Sequence, residues 1–173
     1  MKIDFEGRLT GGHPNSLGNT VEVVEEVLAN PERFEELFNC YFSDDAVVRL
    51  RVSNAMKRIC KAQKQLLLPY LNRFLEEISK IDQASTQWTL ANLFLQLEKD
   101  MDAQQFRLAK EIMMYNLAHH HDWIVLNETI KTLVLWAKVD PVLKQAIHPH
   151  LERLAKDDRK SVAKTANKAL ASM

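Results

Sequence analysis

The sequence has very little glycine, and none of it lies beyond residue 18. The chain of 173 residues contains four glycines and five prolines. A protein built of many short strands needs such residues at its turns, so their scarcity argues against that architecture. The absence of glycine after residue 18 also excludes a glycine-rich phosphate-binding loop in that part of the chain. No Gly-x-Ser-x-Gly nucleophile turn occurs in the sequence.

Cysteine is scarce as well, and long apolar runs are absent. Two cysteines, Cys40 and Cys60, cannot form a disulfide framework, and we expect both to be reduced thiols in or near the core. No apolar stretch approaches the ~20 residues that cross a bilayer. Met1–Gly12 lacks the apolar segment of a signal peptide. These absences predict a cytoplasmic protein without a membrane segment.

The chain has no net charge, because 23 basic residues balance 23 acidic ones. Dedicated nucleic-acid binders usually carry a basic excess, so this balance disfavours that class. The charges are unevenly distributed, however. Residues 1–45 contain 3 basic and 10 acidic side chains, and residues 46–173 contain 20 and 13. The acidic end either covers a basic body or is a solvated face, and we favour the solvated face.

Helix-forming residues dominate what is present: Leu, Ala, Glu, Lys and Gln. We predict an irregular, extended or mobile leader over residues 1–20, where all the glycines lie. Aspartates and prolines then mark helix starts, with Asp157–Asp158 before the last helix. Pro149 should bend or split one segment. The predicted helices cover approximately residues 21–29, 31–42, 46–64, 68–81, 85–99, 103–119, 123–138, 142–156 and 159–171.

A weak pattern recurs along every second helix. Val48 is followed at helical spacing by Val52 and Met56, and similar columns begin at residues 87, 126 and 162. These starting positions lie 39, 39 and 36 residues apart. A period of this size is typical of stacked helical repeats, in which each helix pair buries its apolar face on the next pair.

Some of these segments resemble HEAT and armadillo repeats. Asp44–Arg49 and Asp157–Val162 resemble the second helix of a HEAT repeat, where an acidic cap precedes the apolar anchor. Pro69–Leu71 and Pro149–Leu151 resemble the first helix. The resemblance implies an all-α, right-handed α-α superhelix. It would contain about four helix pairs plus an N-terminal helix, in a single domain over residues 21–173.

The middle repeats depart from this pattern. Trp88 and Asn127 stand where the first repeat has its arginine, and Gln87 replaces an apolar anchor. The repeat register around residues 84–99 is therefore open.

A stack of helical repeats provides a binding surface but does not by itself catalyse a reaction. The sequence also contains no recognisable catalytic motif. In a HEAT stack the second helices line the concave face. We therefore predict a non-enzymatic scaffold or adaptor that binds a protein or peptide there, without a cofactor. For each of Trp88, Trp123 and Trp136 we favour burial in the core over a binding role, because tryptophan is buried on average. The predicted binding strip consists of Arg49, Ser53, Lys57, Trp88, Asn92, Asn127, Lys131 and Asn167.

A basic helix near residues 49–64 supports an alternative function. Its six cations could contact an anionic partner, and HEAT-like DNA glycosylases use a basic groove. A solvated helix is the interpretation we favour, and it applies equally to the row formed by Lys160, Lys164 and Lys168. The six cations are Arg49, Arg51, Lys57, Arg58, Lys61 and Lys64.

Three adjacent histidines, His119, His120 and His121, precede Asp122. Imidazole and carboxylate groups are zinc ligands, so these histidines are the candidates for a metal site. Adjacent residues on a helix point in different directions, however, and no His-Glu-x-x-His spacing occurs. We therefore predict no metal site and assign the histidines to a helix end, where imidazole interacts well with free carbonyl groups.

Overall fold

The structure, a computed structural model, describes residues 4–173, so residues 1–3 of the predicted leader lie outside it. The described residues are helical and contain no strand, which confirms the all-α prediction. The helices are α1 (Phe5–Leu9), α2 (Thr20–Ala29), α3 (Phe34–Asn39), α4 (Ala46–Gln63), α5 (Leu71–Glu76), α6 (Ala84–Leu97), α7 (Ala103–His119), α8 (Trp123–Ala137), α9 (Pro141–Leu154) and α10 (Lys160–Ser172).

The chain divides into two compact units, and the boundary falls within α6, between Thr89 and Leu90. The first unit contains α1 to α5, and the second contains α7 to α10 with the C-terminal half of α6. Each unit buries its own set of apolar side chains. The single domain over residues 21–173 stays a prediction.

Aspartate side chains begin four of the longer helices, as the sequence predicted. Each carboxylate accepts a hydrogen bond from a backbone N–H group two or three residues later, at 2.8 to 3.0 Å. These N–H groups have no partner inside the helix, so the carboxylate satisfies them and complements the positive end of the helix dipole. The four residues are Asp45, Asp102, Asp122 and Asp140.

The start of α10 differs from the prediction. Arg159 occupies the capping position, and no side chain caps the helix. Asp157 instead accepts hydrogen bonds from the backbone N–H of Arg159 at 2.8 Å and from its guanidinium Nε at 2.9 Å. The guanidinium of Arg159 lowers the pKa of Asp157 to about 2. Asp157 thus closes a turn before the helix and leaves its first N–H groups uncapped.

Two predicted helices that contain a proline differ in whether they are continuous. The predicted helix over residues 68–81 is broken into a 3₁₀ turn at Leu68–Tyr70, the short α5, and a second 3₁₀ turn at Ile78–Lys80. Pro149, in contrast, does not split its segment, because α9 continues through it. Of the two predicted outcomes, the split is wrong and the bend stays a prediction. The helix can continue because a proline inside it removes only one backbone hydrogen bond.

The leader is better ordered than the sequence predicted, because Arg51 of α4 fixes it in place. Arg51 is 2% exposed. Its guanidinium donates four hydrogen bonds, to the carbonyl oxygens of Leu9 (2.7 Å), Gly11 (2.6 Å), His13 (3.2 Å) and Ser16 (3.2 Å). No carboxylate pairs with it among residues 4–173. The planar guanidinium suits this role, since its five N–H groups can satisfy several carbonyls of a folded loop at once.

Gly18 allows the loop to close over this arginine. Its φ of +52° lies in the left-handed region, which side chains with a Cβ adopt at a cost. A Cβ at this position would also lie 2.9 Å from Cζ of Arg51. Both the backbone conformation and the close approach to the guanidinium therefore require glycine.

Helix α8 is central to the second unit, where it packs against α7, α9 and α10. Leu126, Ile130 and Leu133 are at most 1% exposed and form its buried face. The buried Thr132 hydroxyl donates to the carbonyl oxygen of Ala91 in α6, at 2.9 Å. These contacts fix which face of α8 remains free.

We expect Arg51→Met to destabilise the first unit, because it removes all four hydrogen bonds while keeping most of the buried length. The cost should be at least ~2 kcal/mol, since buried carbonyls lose charged donors. The lower midpoint in urea denaturation measures it. Limited proteolysis should also cut residues 10–19 faster than in the unchanged protein.

Arg58→Met is the matched control, since Arg58 lies on the same helix and is exposed. Its Nε donates to the Asn54 side chain at 2.7 Å. We expect a change within ~0.5 kcal/mol. Equal stability of the Arg51 and Arg58 variants would show that the guanidinium does not hold the leader.

Candidate functional site

Helices α6, α8 and α10 surround a groove of about 980 Å³ in the second unit. Helix α6 contributes only residues after the boundary at Leu90, and α8 contributes most of the floor. The volume is large enough for several side chains of a ligand. The apolar residues that line it are Leu95, Trp123, Ile130, Val134, Leu135 and Ala169.

Two of these apolar side chains are substantially exposed to solvent. Trp123 is 50% exposed and Leu135 is 45% exposed. Asp122 places Trp123 at the first position of α8 by accepting hydrogen bonds from the N–H groups of Ile124 (2.8 Å) and Val125 (3.0 Å). Because the buried face of α8 packs against its neighbours, Trp123 and Leu135 remain on the free side. Apolar surface of this kind, with polar residues around it, is typical of an interaction site.

Lysines form the rim of the groove. Lys131 pairs with Glu128 at 2.9 Å, and Glu128 is the acidic residue of the lining. The other three rim lysines, Lys138, Lys164 and Lys168, make no ion pair within residues 4–173. Four cations against one carboxylate give the groove a positive potential, which is stronger beside an apolar floor than in open water.

Asn127 joins two helices in the wall of the groove. The residue is 7% exposed. Its Nδ2 donates to the hydroxyl of Ser161 at 2.6 Å, which links α8 to α10. Its Oδ1 is closed to solvent, so a ligand in the groove does not reach it. Asn127 therefore fixes the wall of the groove and is not itself a ligand contact.

The predicted binding strip coincides with this groove at three positions. Asn92, Asn127 and Lys131 all line it. Asn167 does not, although it lies on α10. Its side chain donates instead to the carbonyl oxygens of Ala155 (3.3 Å) and Ala163 (2.9 Å). Asn92, Lys131 and Asn167 each lie five residues after the start of a repeat column. Asn92 and Lys131 therefore face the groove, and Asn167 turns away from it.

The remaining strip residues lie in the first unit, and one is not on a surface. Ser53 is 1% exposed, because its side of α4 packs into the core, so its place in a binding strip is wrong. Arg49 is held by hydrogen bonds to the Gln83 side chain (2.7 Å) and to the Ser43 carbonyl (2.6 Å). Lys57 and Trp88 are half-buried.

The three tryptophans differ in burial. Trp136 is 3% exposed and packs edge-on against Phe106, with ring centroids 4.9 Å apart, as expected of a core tryptophan. Trp88 is half-buried and Trp123 half-exposed. Sequence reasoning therefore chose Trp88 for the strip and missed Trp123. One feature of the sequence could have indicated that Trp123 is exposed. It directly follows the Asp122 cap, and side chains in the first turn of a helix are commonly solvated.

The basic helix contains fewer free cations than its sequence indicates. Arg51 is buried by the leader, and Arg49 is committed to Gln83 and Ser43. Arg58 donates to Asn54 on the same helix. Two of the six cations, Arg49 and Arg51, therefore stabilise local structure and are not available to a partner along α4.

The histidine run does not converge on one point. The ring of His119 lies beside Tyr115, with centroids 4.7 Å apart. Nδ1 of His120 accepts a hydrogen bond from the backbone N–H of Asp122 at 3.1 Å, and the carbonyl oxygen of His121 accepts one from Arg159. Over residues 4–173, no group of three or more His, Cys, Asp or Glu side chains is arranged to hold a metal ion.

Both cysteines are buried and neither forms a disulfide, in agreement with the sequence. Burial, together with the nearby carboxylates of Glu6 and Glu36, raises the pKa of Cys40 to about 12. The thiolate is the nucleophilic form, so the Cys40 thiol is unreactive at neutral pH.

Known family models, curated protein sequences and solved structures gave no match to this chain. The resemblance to HEAT and armadillo repeats therefore rests on the sequence pattern and stays a prediction. Among the described helices, none combines the length and hydropathy that crossing a bilayer requires.

If the groove floor is a free surface, its side chains should matter little for folding. We expect Trp123→Ala and Leu135→Ala each to lower the free energy of unfolding by less than half the cost of Leu133→Ala. Leu133 is 0% exposed on the same helix, and its truncation should cost about 2–5 kcal/mol. Urea denaturation measures all three. A cost for Trp123→Ala equal to that of Leu133→Ala would assign the floor to the core.

Proposed function

We propose that this protein is a non-enzymatic scaffold or adaptor that binds a segment of another protein in the groove of α6, α8 and α10. The observation that carries this proposal is the pair of large apolar side chains, Trp123 and Leu135, left about half-exposed inside a groove. Keeping such groups in water is unfavourable, and a bound apolar segment would cover them.

The composition of the groove matches that of a protein-binding site. Protein interfaces have an apolar centre with an aromatic anchor and a polar rim, and a few central side chains supply most of the binding energy. Trp123 and Leu135 provide the centre, and the rim lysines provide the border.

The proposal includes the finer architecture that the sequence implies. In a HEAT-like right-handed superhelix of about four helix pairs, the second helices of successive pairs line the concave face. Helices α8 and α10 occupy that place in the sequence pattern, and both line the groove. The support is therefore that both helices of the second unit that the repeat pattern assigns to the concave face, α8 and α10, line the groove.

Nucleic-acid binding through the helix at residues 46–63 has less support. Arg51 is buried, and Arg49 and Arg58 are held by neighbouring side chains or carbonyls. Phosphate-dominated binding needs several free cations along one face. A DNA arm in the binding experiments below compares this alternative with the protein-binding proposal.

Selection from a library of displayed random 16-residue peptides tests the groove directly. We expect enriched peptides to bind the unchanged protein and to bind a Trp123→Ala/Leu135→Ala variant at least ~10-fold more weakly. Removing two central anchors typically costs more than ~1.4 kcal/mol, and 1.4 kcal/mol corresponds to a tenfold loss of affinity. Fluorescence anisotropy with synthetic copies of the enriched peptides gives the dissociation constants.

The matched control is Val139→Ala/Val142→Ala. Both valines are strongly exposed, at 89% and 77%, and neither lines this groove. Peptides should bind this variant as they bind the unchanged protein. Enrichment of no peptide, or of peptides that bind all three proteins equally, would reject the groove as a protein-binding site.

A further inference from the structure

We infer that the partner segment is an acidic amphipathic helix, with carboxylates on both sides of an apolar stripe. This inference rests on the proposed function and names the chemistry of its partner. It follows from three features of the groove: its charge, the spacing of its cations, and the apolar groups on its floor.

The charge of the groove selects an acidic partner. Lys138, Lys164 and Lys168 are exposed and make no ion pair within residues 4–173, so the chain itself does not neutralise them. Glu128 already pairs with Lys131 and cannot balance the others. Carboxylates brought to the rim would gain attraction at three cations. A basic segment would meet repulsion from all of them, so the rim excludes it.

The spacing of the cations matches a helix. Lys131 and Lys138 lie seven residues apart on α8, roughly 10 Å along the axis at 1.5 Å per residue. Lys164 and Lys168 lie four residues apart on α10, roughly 6 Å by the same rise. Each pair is separated by nearly whole turns, so each lies along one face of its helix. A helical ligand repeats its own carboxylates at the same intervals, so it can meet both rows.

The floor requires large apolar side chains between these carboxylates. Trp123 and Leu135 are open to solvent, and Ile130 and Val134 lie one turn apart on the same helix. A ligand with leucine or aromatic residues at positions i, i+3, i+4 and i+7 places them along such a floor. Helices that bind in grooves commonly use this arrangement of anchors.

The floor of the groove favours a peptide over a nucleic acid. Trp123 and Leu135 leave apolar surface open to solvent there. A peptide can cover this surface with its own apolar side chains. A phosphate backbone would lose its hydration against the same surface and gain no hydrogen bond in exchange.

Three synthetic 18-residue peptides test the charge requirement. All carry the same fluorescein label and the same leucine stripe at helical spacing. The flanking positions are glutamate in one, glutamine in the second and lysine in the third. We expect the glutamate peptide to bind at least ~10-fold more tightly than the glutamine peptide at 50 mM salt, and this advantage to shrink as salt screens the rim. Equal binding of the three peptides would overturn the acidic partner.

Charge reversal locates the contact. Lys164→Glu/Lys168→Glu should weaken binding of the glutamate peptide at least ~10-fold. It should also strengthen binding of the lysine peptide. The control, Lys156→Glu/Lys160→Glu, makes the same change in net charge at two exposed lysines outside the groove lining. It should change the binding of either peptide less than threefold. Equal effects of the two double variants would overturn the assignment of the rim lysines.

The helical requirement has its own readout. A scrambled peptide of identical composition, with the stripe disrupted, should bind at least ~10-fold more weakly. Circular dichroism of the glutamate peptide should show increased helicity in the complex, after the spectrum of the protein is subtracted. Tight binding without added helicity would overturn the helical form of the partner.

The failures of the two proposals can be told apart. If library selection yields groove-dependent peptides that are neutral or basic, the groove remains a binding site and the acidic partner is wrong. If selection yields no groove-dependent peptide, the proposed function fails, and the partner inference fails with it. A labelled DNA duplex that binds tightly and depends on Lys164 and Lys168 would replace the acidic helix with a nucleic acid.

Discussion

Hydrogen bonds from unpaired backbone N–H groups to aspartate side chains set where four of the longer helices begin, and the candidate site depends on them. Asp122 fixes the first residue of α8 and so places Trp123 in the first turn of this helix. Leu126, Ile130 and Leu133 are then buried, while Trp123 and Leu135 are left on the free side. The groove is therefore a consequence of where α8 begins and of what packs around it.

The two units use basic residues in opposite ways. In the first unit Arg51 is buried, and its guanidinium donates hydrogen bonds to backbone carbonyl groups. These bonds order a loop that has too few apolar residues to fold by burial alone. In the second unit Lys138, Lys164 and Lys168 stay exposed beside apolar surface. An arginine can satisfy several acceptors in a fixed plane, whereas a lysine keeps its hydration and a flexible stem. The buried arginine stabilises the fold, whereas the exposed lysines would recognise a partner.

Sequence patterns predicted the longer helices well and the short ones poorly. Helices α4, α7 and α8 begin and end close to their predicted positions, because a capping aspartate and a run of helix formers act locally. The segment 68–81 was predicted as one helix and contains two 3₁₀ turns around α5. The leader at residues 4–19 was predicted as irregular or mobile, since the signal that orders it is an arginine more than thirty residues away.

The sequence by itself determined that the chain is helical, where most long helices start, and that the columns at residues 48, 126 and 162 begin with buried side chains. These depend on hydrogen bonds and periodicities within a few residues. Only the tertiary structure decided that Trp123 is exposed while Trp136 is buried, and that Arg51 is internal while Lys164 borders a groove. The reason is physical: a helix fixes which residues share a face, but segments distant in the chain decide which face is covered.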